Sequence, residues 1–314
     1  MARWDILNGD RVRESEAASP REERPKPSND TSVSVGRGPT DSSSANTPER
    51  PDKPGQSSIS RTPHRRTQHR DRGRTYSLRS SEVAAMGDIG MFRTVDVRDL
   101  ARFVYSGSET RANYDLESLR TQGLVEEKTL SRAHKEPRKV VALTEQGHRI
   151  LRKASGLPKD QAIYQGYVKP REINHDADLY KVYQQAAEEI RKQGGKPVKV
   201  RLDFELKAAV QREKNAVKGL SEEERVKRLE TFAKEHTLTI SGTTIHVPDV
   251  QLEYDTRDGE MERTNLELIS ENYRTEGIRS KAESGFTIYA RSGDTTRVRR
   301  ALEDTHTVEQ ILSI

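Results

Sequence analysis

The spacing of apolar residues between positions 76 and 155 restricts the fold of this chain more than any other feature of its sequence. Apolar residues recur every three or four positions in three successive stretches, which is the period of an amphipathic helix. These stretches are Val83 to Phe92, Val97 to Val104, and about Glu109 to Gln122. Thr94 is the expected N-cap of the second stretch. The pattern predicts three short helices, each with one buried face.

A different pattern follows the third helix. Gly123 is expected to end that helix, because glycine readily adopts the left-handed conformation found at helix C-termini. Leu124–Val125 and Val140–Leu143 predict two short strands on either side of a basic stretch, and 145–153 predicts a final helix. Three helices, a basic hairpin and a further helix follow the order of a winged helix-turn-helix.

The junction between the hairpin and the final helix supports this assignment. Residues 143–151 read Leu-Thr-Glu-Gln-Gly-His-Arg-Ile-Leu. They resemble the strand-to-helix junction that is frequent after the wing in bacterial winged-helix regulators. Thr144 can cap the helix with its hydroxyl, while Ile150 and Leu151 pack back on the core.

The third helix and the basic hairpin carry side chains that suit duplex DNA. A helix fits the major groove, where arginine can bond guanine, and hydroxyl side chains more often meet phosphates. Double-stranded DNA is therefore the expected partner, and a winged helix that binds another protein is the alternative. The candidate DNA-contacting residues are Arg111, Tyr114, Ser118 and Thr121 on the helix, and Lys128, Arg132, Lys135, Arg138 and Lys139 on the hairpin.

Residues 1–75 differ in composition from the rest of the chain. They contain eight of its thirteen prolines, with Ser, Thr, Arg and Glu between them and almost no apolar residues. Such a segment cannot bury enough surface to offset its chain entropy, so the sequence predicts a disordered tail. The basic stretch from Arg61 to Arg74 is opposed only by Asp71. It is either a solvated linker or an arm that lies along phosphates.

The overall composition excludes several classes of protein. Charged residues make up 33% and aromatic residues 5% of the chain, which fits small folded cores beside an unfolded tail. No run of about 18 apolar residues is present, so we expect no membrane span. Cysteine is absent, which excludes disulfides and cysteine-ligated zinc. Residues 1–10 lack the apolar core of a secretory signal, so a reducing cytoplasm is the expected compartment.

Residues 156–314 predict a second, mixed α/β domain. A helix is expected over Asp178–Gln193, a half-buried strand over Val198–Leu206, helices over 207–236 and a short strand pair over 237–245. A helix near 270–284 and a strand over 286–290 complete the unit. The predicted fold class is therefore α+β: a disordered N-terminal tail (1–75), a winged helix-turn-helix (76–155) and a mixed α/β nuclease-like domain (156–314).

The stretch between residues 245 and 269 predicts a hairpin with a defined register. A three-residue loop with a left-handed Gly259 places Val250 opposite Leu266 and Asp249 opposite Glu267. A two-residue loop would mix apolar and polar faces, so the three-residue loop is favoured. Facing carboxylates can begin a divalent metal site, although outward acids on a strand often have no such role.

The order of elements around this hairpin is similar to the PD-(D/E)xK nuclease core. That family carries a lysine two residues after the second acid, where this chain has Ile269, and Lys281 on the next helix is the possible substitute. An active site would use Asp249 and Glu267 to bind Mg²⁺, with Lys281 as the third catalytic residue. If Lys281 does not take the place of the missing lysine, we expect the chain to have no catalytic residue, metal or cofactor.

Four motifs follow the winged helix: Asn174–Leu179, Arg201–Leu206, Val247–Asp249 and Leu266–Leu268. Together with the winged helix, these motifs resemble the replication-relaxation family of plasmids and integrative elements. The resemblance covers about Tyr76 to Ala290. It implies DNA binding connected with plasmid replication or DNA relaxation, and a nuclease-like domain that often lacks a complete catalytic set. The alternatives are a metal-dependent endonuclease and a scaffold for replication or conjugation proteins.

Overall fold

A computed structural model describes residues 65–132, 135–167, 169–271, 273–302 and 311–313. The predicted disorder of residues 1–64 lies outside these ranges. The described chain has the predicted α+β fold, in which a winged helix-turn-helix precedes a mixed sheet flanked by helices.

The first described residues form a β-hairpin of strands β1 (Thr67–Asp71) and β2 (Arg74–Leu78). The expectation that a disordered arm extends to residue 75 is wrong for this stretch. Tyr76 and Leu78 are each 1% exposed and anchor the hairpin on the core. Arg72 and Gly73 both have positive φ, which suits the tight turn of a hairpin. Composition averaged over many residues does not detect two apolar anchors and a turn.

The winged helix-turn-helix follows this hairpin directly, and the three predicted helices are confirmed. Asp96 caps the second helix by accepting from the Arg98 backbone N–H, in place of the predicted Thr94. The reason is that residues 95 and 96 still pair with a strand of the wing sheet. The sheet has the strand order β3-β5-β4. The elements are α1 (Ser80–Phe92), β3 (Val95–Asp96), α2 (Val97–Val104), α3 (Glu109–Thr121), β4 (Val125–Arg132), β5 (Lys135–Leu143) and α4 (Glu145–Ala154).

The junction between β5 and α4 is built as its sequence indicates. The Thr144 hydroxyl accepts from the Gly147 backbone N–H at 3.0 Å, and Ile150 and Leu151 are fully buried. Gly147 packs directly on the chain before β4. A Cβ at this position would lie 1.9 Å from the Leu124 carbonyl oxygen. Only glycine therefore lets α4 approach so closely.

The second half of the described chain is a five-stranded mixed sheet with the strand order β12-β11-β10-β9-β6. The pairs β6–β9 and β9–β10 are antiparallel, while β10–β11 and β11–β12 are parallel. A small separate pair, β7–β8, is antiparallel. The elements are α5 (Pro170–Lys192), β6 (Lys196–Leu202), α6 (Asp203–Ala216), α7 (Glu222–Glu235), β7 (Thr239–Ser241), β8 (Thr244–His246), β9 (Val250–Asp255), β10 (Met261–Ile269), α8 (Thr275–Glu283), β11 (Thr287–Ala290), α9 (Thr295–Leu302) and β12 (Ile311–Ser313).

The predicted register of the β9–β10 hairpin is confirmed. Val250 pairs with Leu266, and the left-handed Gly259 has a φ of 82°. The strand predicted over Val198–Leu206 is wrong at its end, because the chain leaves the sheet after Leu202 and begins α6. The Glu205 carboxylate accepts from the Leu202 backbone N–H at 3.0 Å and so stabilises the first turn of that helix.

Helix α5 joins the two halves through a shared hydrophobic core. Its buried residues Leu179, Val182 and Ala187 belong to the same cluster as Phe92 of α1 and Leu252 of β9. The core is therefore continuous across the predicted boundary near residue 156, and that boundary stays a prediction. Within the ranges given above, no helix combines the length and apolar character needed to cross a lipid bilayer.

Candidate functional site

Helix α3 presents an exposed face at the surface of the winged helix. Ala112, Leu116 and Leu119 bury its inner face in the core. Arg111 and Thr121 of the predicted DNA-contacting set are exposed. The helix has 13 residues and is therefore about 20 Å long. Its exposed face has the dimensions of an element that can enter a major groove.

Neighbouring side chains hold several of the predicted contact residues in place. Tyr114 is 63% exposed, and the Arg79 guanidinium lies 4.7 Å from its ring centre and donates to its hydroxyl at 3.1 Å. Ser118 is half-buried, and its hydroxyl accepts from Arg66 at 3.2 Å. The Thr121 hydroxyl donates to a carbonyl one turn earlier in α3. Ser118 is therefore the least accessible of the four predicted contact residues on α3.

The wing formed by β4 and β5 carries the remaining candidates. Lys128 and Lys139 are both exposed. The Lys128 Nζ lies 5.8 Å from the Tyr167 ring centre, and the Lys139 Nζ lies 3.5 Å from the Glu127 carboxylate. The backbones of Arg132 and Lys135 pair at the tip of the wing. Apart from Arg138, the predicted wing contacts stay predictions.

The structure contradicts the prediction that Arg138 contacts DNA. Arg138 is 4% exposed, and its guanidinium lies 2.6 Å from Asp96 and 3.0 Å from Asp178. The reason is strand alternation: β5 begins earlier than predicted, so Arg138 shares the buried face with Val140 while Lys139 faces outward. Arg138 joins the wing to α5.

A second cluster, which we call the acidic centre, lies where β9 and β10 meet α8. It contains the three residues predicted as a possible catalytic set, Asp249, Glu267 and Lys281. The Asp249 backbone N–H donates to Glu267 Oε2 at 3.1 Å, and Lys281 Nζ lies 2.8 Å from Glu267 Oε1. Glu267 is fully buried. Burial and the neighbouring Asp249 raise the pKa of the Glu267 carboxyl.

Two further members of the acidic centre were missed from the sequence. The Tyr273 hydroxyl donates to Glu267 Oε1 at 2.7 Å, and His175 Nε2 lies 3.7 Å from Asp249 Oδ1. Burial lowers the pKa of His175, whereas Asp249 and other nearby acids raise it. The acids together have the larger effect, so the pKa of His175 is raised. His175 lies within a motif of the family resemblance, whereas nothing in the sequence singles out Tyr273.

The contacts of the acidic centre do not fit a Mg²⁺ ion. Both Glu267 oxygens accept hydrogen bonds from protein groups, and Lys281 provides the positive charge beside them. Asp249 Oδ2 accepts from the Leu268 backbone N–H at 3.0 Å, while Oδ1 faces His175. Across the described ranges, no three His, Cys, Asp or Glu side chains are grouped so that they could hold a metal ion. The centre is a closed network of ion pairs and hydrogen bonds.

The fold and these surfaces define a winged helix-turn-helix followed by a mixed five-stranded sheet that carries the acidic centre. No protein-family model matches the chain, and no curated protein matches it. Among solved structures, the chain is similar to PadR of Bacillus subtilis in a complex with operator DNA. The sequence identity is 15% and the TM-score is 0.22, over 44% of this chain and 75% of that chain.

Proposed function

We propose that this chain is a double-stranded DNA-binding protein that inserts α3 into a major groove. The observation that carries the proposal is the placement of α3, which is buried on one side and exposed on the other beside a long β-hairpin wing. Arg111 is exposed in the first turns of α3, where a side chain can reach a guanine edge or a phosphate. Lys128 and Lys139 on the wing can meet the adjacent backbone.

Binding of a fluorescently labelled duplex of random sequence tests this proposal. We expect the full chain to bind with an affinity that falls steeply as salt concentration rises, because lysine and arginine displace counterions from phosphates. Arg111→Ala is expected to weaken binding by about tenfold, or about 1.4 kcal/mol, which lies within the about 1–3 kcal/mol of an arginine contact. Arg212→Ala changes an exposed arginine on α6 and serves as the matched control.

Two results would count against the proposal in different ways. A wild-type chain that does not bind duplex DNA at low salt would reject DNA binding and favour the scaffold for replication or conjugation proteins. Equal affinities of Arg111→Ala and Arg212→Ala would reject the insertion of α3 while leaving DNA binding intact.

We propose further that the protein serves a plasmid or another mobile element, in replication or DNA relaxation. The resemblance to the replication-relaxation family supports this part of the proposal. So does the order of α5, β6, β9, β10, α8 and β11, which follows the helix-strand order of the nuclease-like resemblance with α6, α7, β7 and β8 inserted after β6. The genes beside its coding sequence provide the test. A relaxase, coupling ATPase or replication initiator gene is expected there, and chromosomal metabolic genes alone would contradict a mobile-element role.

A further inference from the structure

The β1–β2 hairpin, whose open end packs on α3, carries a concentration of positive charge. Residues 65–78 contain five arginines and one aspartate, a formal net charge of +4. Arg70, Arg72 and Arg74 are exposed around its turn. Among the residues that the structure describes, none of these three arginines forms an ion pair. The aspartate, Asp71, is buried and does not neutralise them, because it pairs with Arg149 and Lys153 of α4.

Specific contacts hold this hairpin against α3 and α4. Arg66 donates to the Ser77 carbonyl at 2.6 Å and to the Ser118 hydroxyl at 3.2 Å. The Ser77 backbone N–H donates to the Gln122 side chain at 3.0 Å, just beyond the end of α3. Asp71 accepts from Arg149 at 2.9 Å and from Lys153 at 2.6 Å. The open end of the hairpin is therefore fixed on α3, and the turn that carries the arginines is fixed against α4.

The hairpin and the wing lie on opposite flanks of α3. Asn113 and Arg120 line the clefts between α3 and the wing strands. Ser118 and Gln122 bond the hairpin side instead. At about 100° per residue, Asn113 and Ser118 lie about 140° apart around the helix. The exposed face of α3 is therefore bordered by one β-hairpin on each side.

Among the hairpin, the β4–β5 wing and α3, the hairpin has the charge to make the largest electrostatic contribution to duplex binding. Helix α3 contains two arginines and three acids, so its formal net charge is −1. The wing strands between Val125 and Leu143 contain five basic residues and three acids, and one of those basic residues is the buried Arg138. Nonspecific affinity for a duplex grows with the number of phosphates that a protein neutralises. The hairpin therefore carries more net positive charge than either the wing or α3.

We propose that the β1–β2 hairpin is a second wing, in which Arg70, Arg72 and Arg74 bind duplex phosphates on the side of α3 opposite the β4–β5 wing. This inference rests on the proposed insertion of α3 into a major groove. Each strand of the hairpin has five residues and spans about 17 Å. The turn therefore lies about 17 Å from the contacts with α3, where its arginines can reach the DNA backbone that flanks the groove occupied by α3. Phosphate contact requires charge and no particular base, so the hairpin adds affinity without adding sequence specificity.

The salt dependence of duplex binding tests the second wing. The full chain with Arg70→Gln, Arg72→Gln and Arg74→Gln is titrated with a labelled duplex of random sequence over a series of salt concentrations. The magnitude of the slope of log affinity against log salt is expected to fall by up to about 3, at about 0.9 per lost phosphate contact. These side chains are exposed, so the circular dichroism melting curve should stay unchanged.

Two further triple variants complete this experiment. The control replaces Arg212, Lys218 and Lys227, exposed residues of the second half, by glutamine and removes the same charge. It should keep nearly the wild-type slope. Replacing Arg70, Arg72 and Arg74 by lysine should restore the slope, because a lysine also neutralises a phosphate.

The results of these titrations can reject the second wing without rejecting the proposed insertion of α3. If the glutamine hairpin variant keeps the wild-type slope while Arg111→Ala weakens binding, the second wing is rejected and the insertion of α3 stands. If the control triple loses as much slope as the hairpin triple, the effect belongs to overall charge and the second wing is also rejected. If the wild-type chain does not bind the duplex, both proposals are rejected.

Discussion

Arg138 lies among three aspartates from β3, α2 and α5. Its guanidinium is 2.6 Å from Asp96, 3.6 Å from Asp99 and 3.0 Å from Asp178. A buried ion network of this kind contributes little net free energy when complete, but the loss of its central cation is costly. Without Arg138, Asp96 keeps the Arg98 N–H, Asp99 keeps Lys181 and Asp178 keeps Arg291, so three buried carboxylates share less positive charge. The role of this side chain is therefore to hold the wing, α2 and α5 together.

Arg138→Ala is expected to lower the free energy of unfolding by about 3–5 kcal/mol, the range for breaking a buried ion pair. The neighbouring Lys139→Ala is the matched control. Its side chain is 61% exposed, so its effect should stay within about 0.5 kcal/mol. Urea unfolding followed by circular dichroism measures both. Equal midpoints for the two variants would contradict the assigned role.

Asp88 of α1 provides a pH-dependent contribution to stability. It accepts from the Tyr180 hydroxyl at 2.6 Å and from Gln184 at 3.1 Å, both on α5. Burial raises its pKa from 3.8 to about 6, although the hydrogen bond from Tyr180 opposes this shift. Between these two pKa values the native carboxyl is protonated while the unfolded one is ionised. The contribution of Asp88 to stability is therefore greatest at low pH and decreases as pH rises towards about 6.

Asp88→Asn removes this titration and keeps an acceptor for both donors. We expect the stability of the variant relative to wild type to increase between about pH 4 and about pH 7, because only the wild-type side chain must ionise in a buried position. Urea unfolding at several pH values checks the difference. A difference that does not change with pH would show that burial of Asp88 does not raise its pKa.

At the scale of elements, Gly147 sets the distance between α4 and the start of β4. A methyl group at Gly147 would collide with the Leu124 carbonyl, which belongs to the backbone and cannot rotate away. Gly147→Ala is expected to destabilise the fold by about 1–3 kcal/mol, the usual cost of overpacking. Gly156→Ala is the control, because a Cβ there meets nothing within 4 Å. Thermal unfolding compares the two, and similar melting temperatures would contradict this packing.

The sequence predicted elements best where the residue pattern itself determines the structure. The apolar spacing of α1 and α3 and the loop length of the β9–β10 hairpin both led to the observed elements. The strand predicted through Leu206 failed because alternation over so few residues does not exclude a helix start: Glu205 stabilises the first turn of α6, and Leu206 and Val210, four residues apart, form its buried face. The β1–β2 hairpin was missed because its two buried anchors contact the core only after folding.

At the scale of the whole molecule, the chemistry of the acidic centre distinguishes a protein that only binds DNA from an endonuclease. Its carboxylates already have protein partners, so we expect Mg²⁺ to leave the melting temperature unchanged and supercoiled plasmid DNA uncut. Asp249→Ala, purified in the same way, controls for contaminating nucleases. Nicking by wild type that requires Mg²⁺ and disappears in Asp249→Ala would favour the endonuclease.

The sequence by itself determined the order of helices and strands, because apolar periodicity and turn residues act over a few neighbouring positions. It also placed Asp249, Glu267 and Lys281 in one cluster, since strand register and a short connection are local properties. Only the tertiary structure decided which charges are available at the surface. Arg138 is buried against Asp96, which lies 42 positions before it, and Asp178, which lies 40 positions after it. Arg70, Arg72 and Arg74 remain exposed on a folded hairpin. Pairing between charges depends on distances that arise only when remote segments pack together.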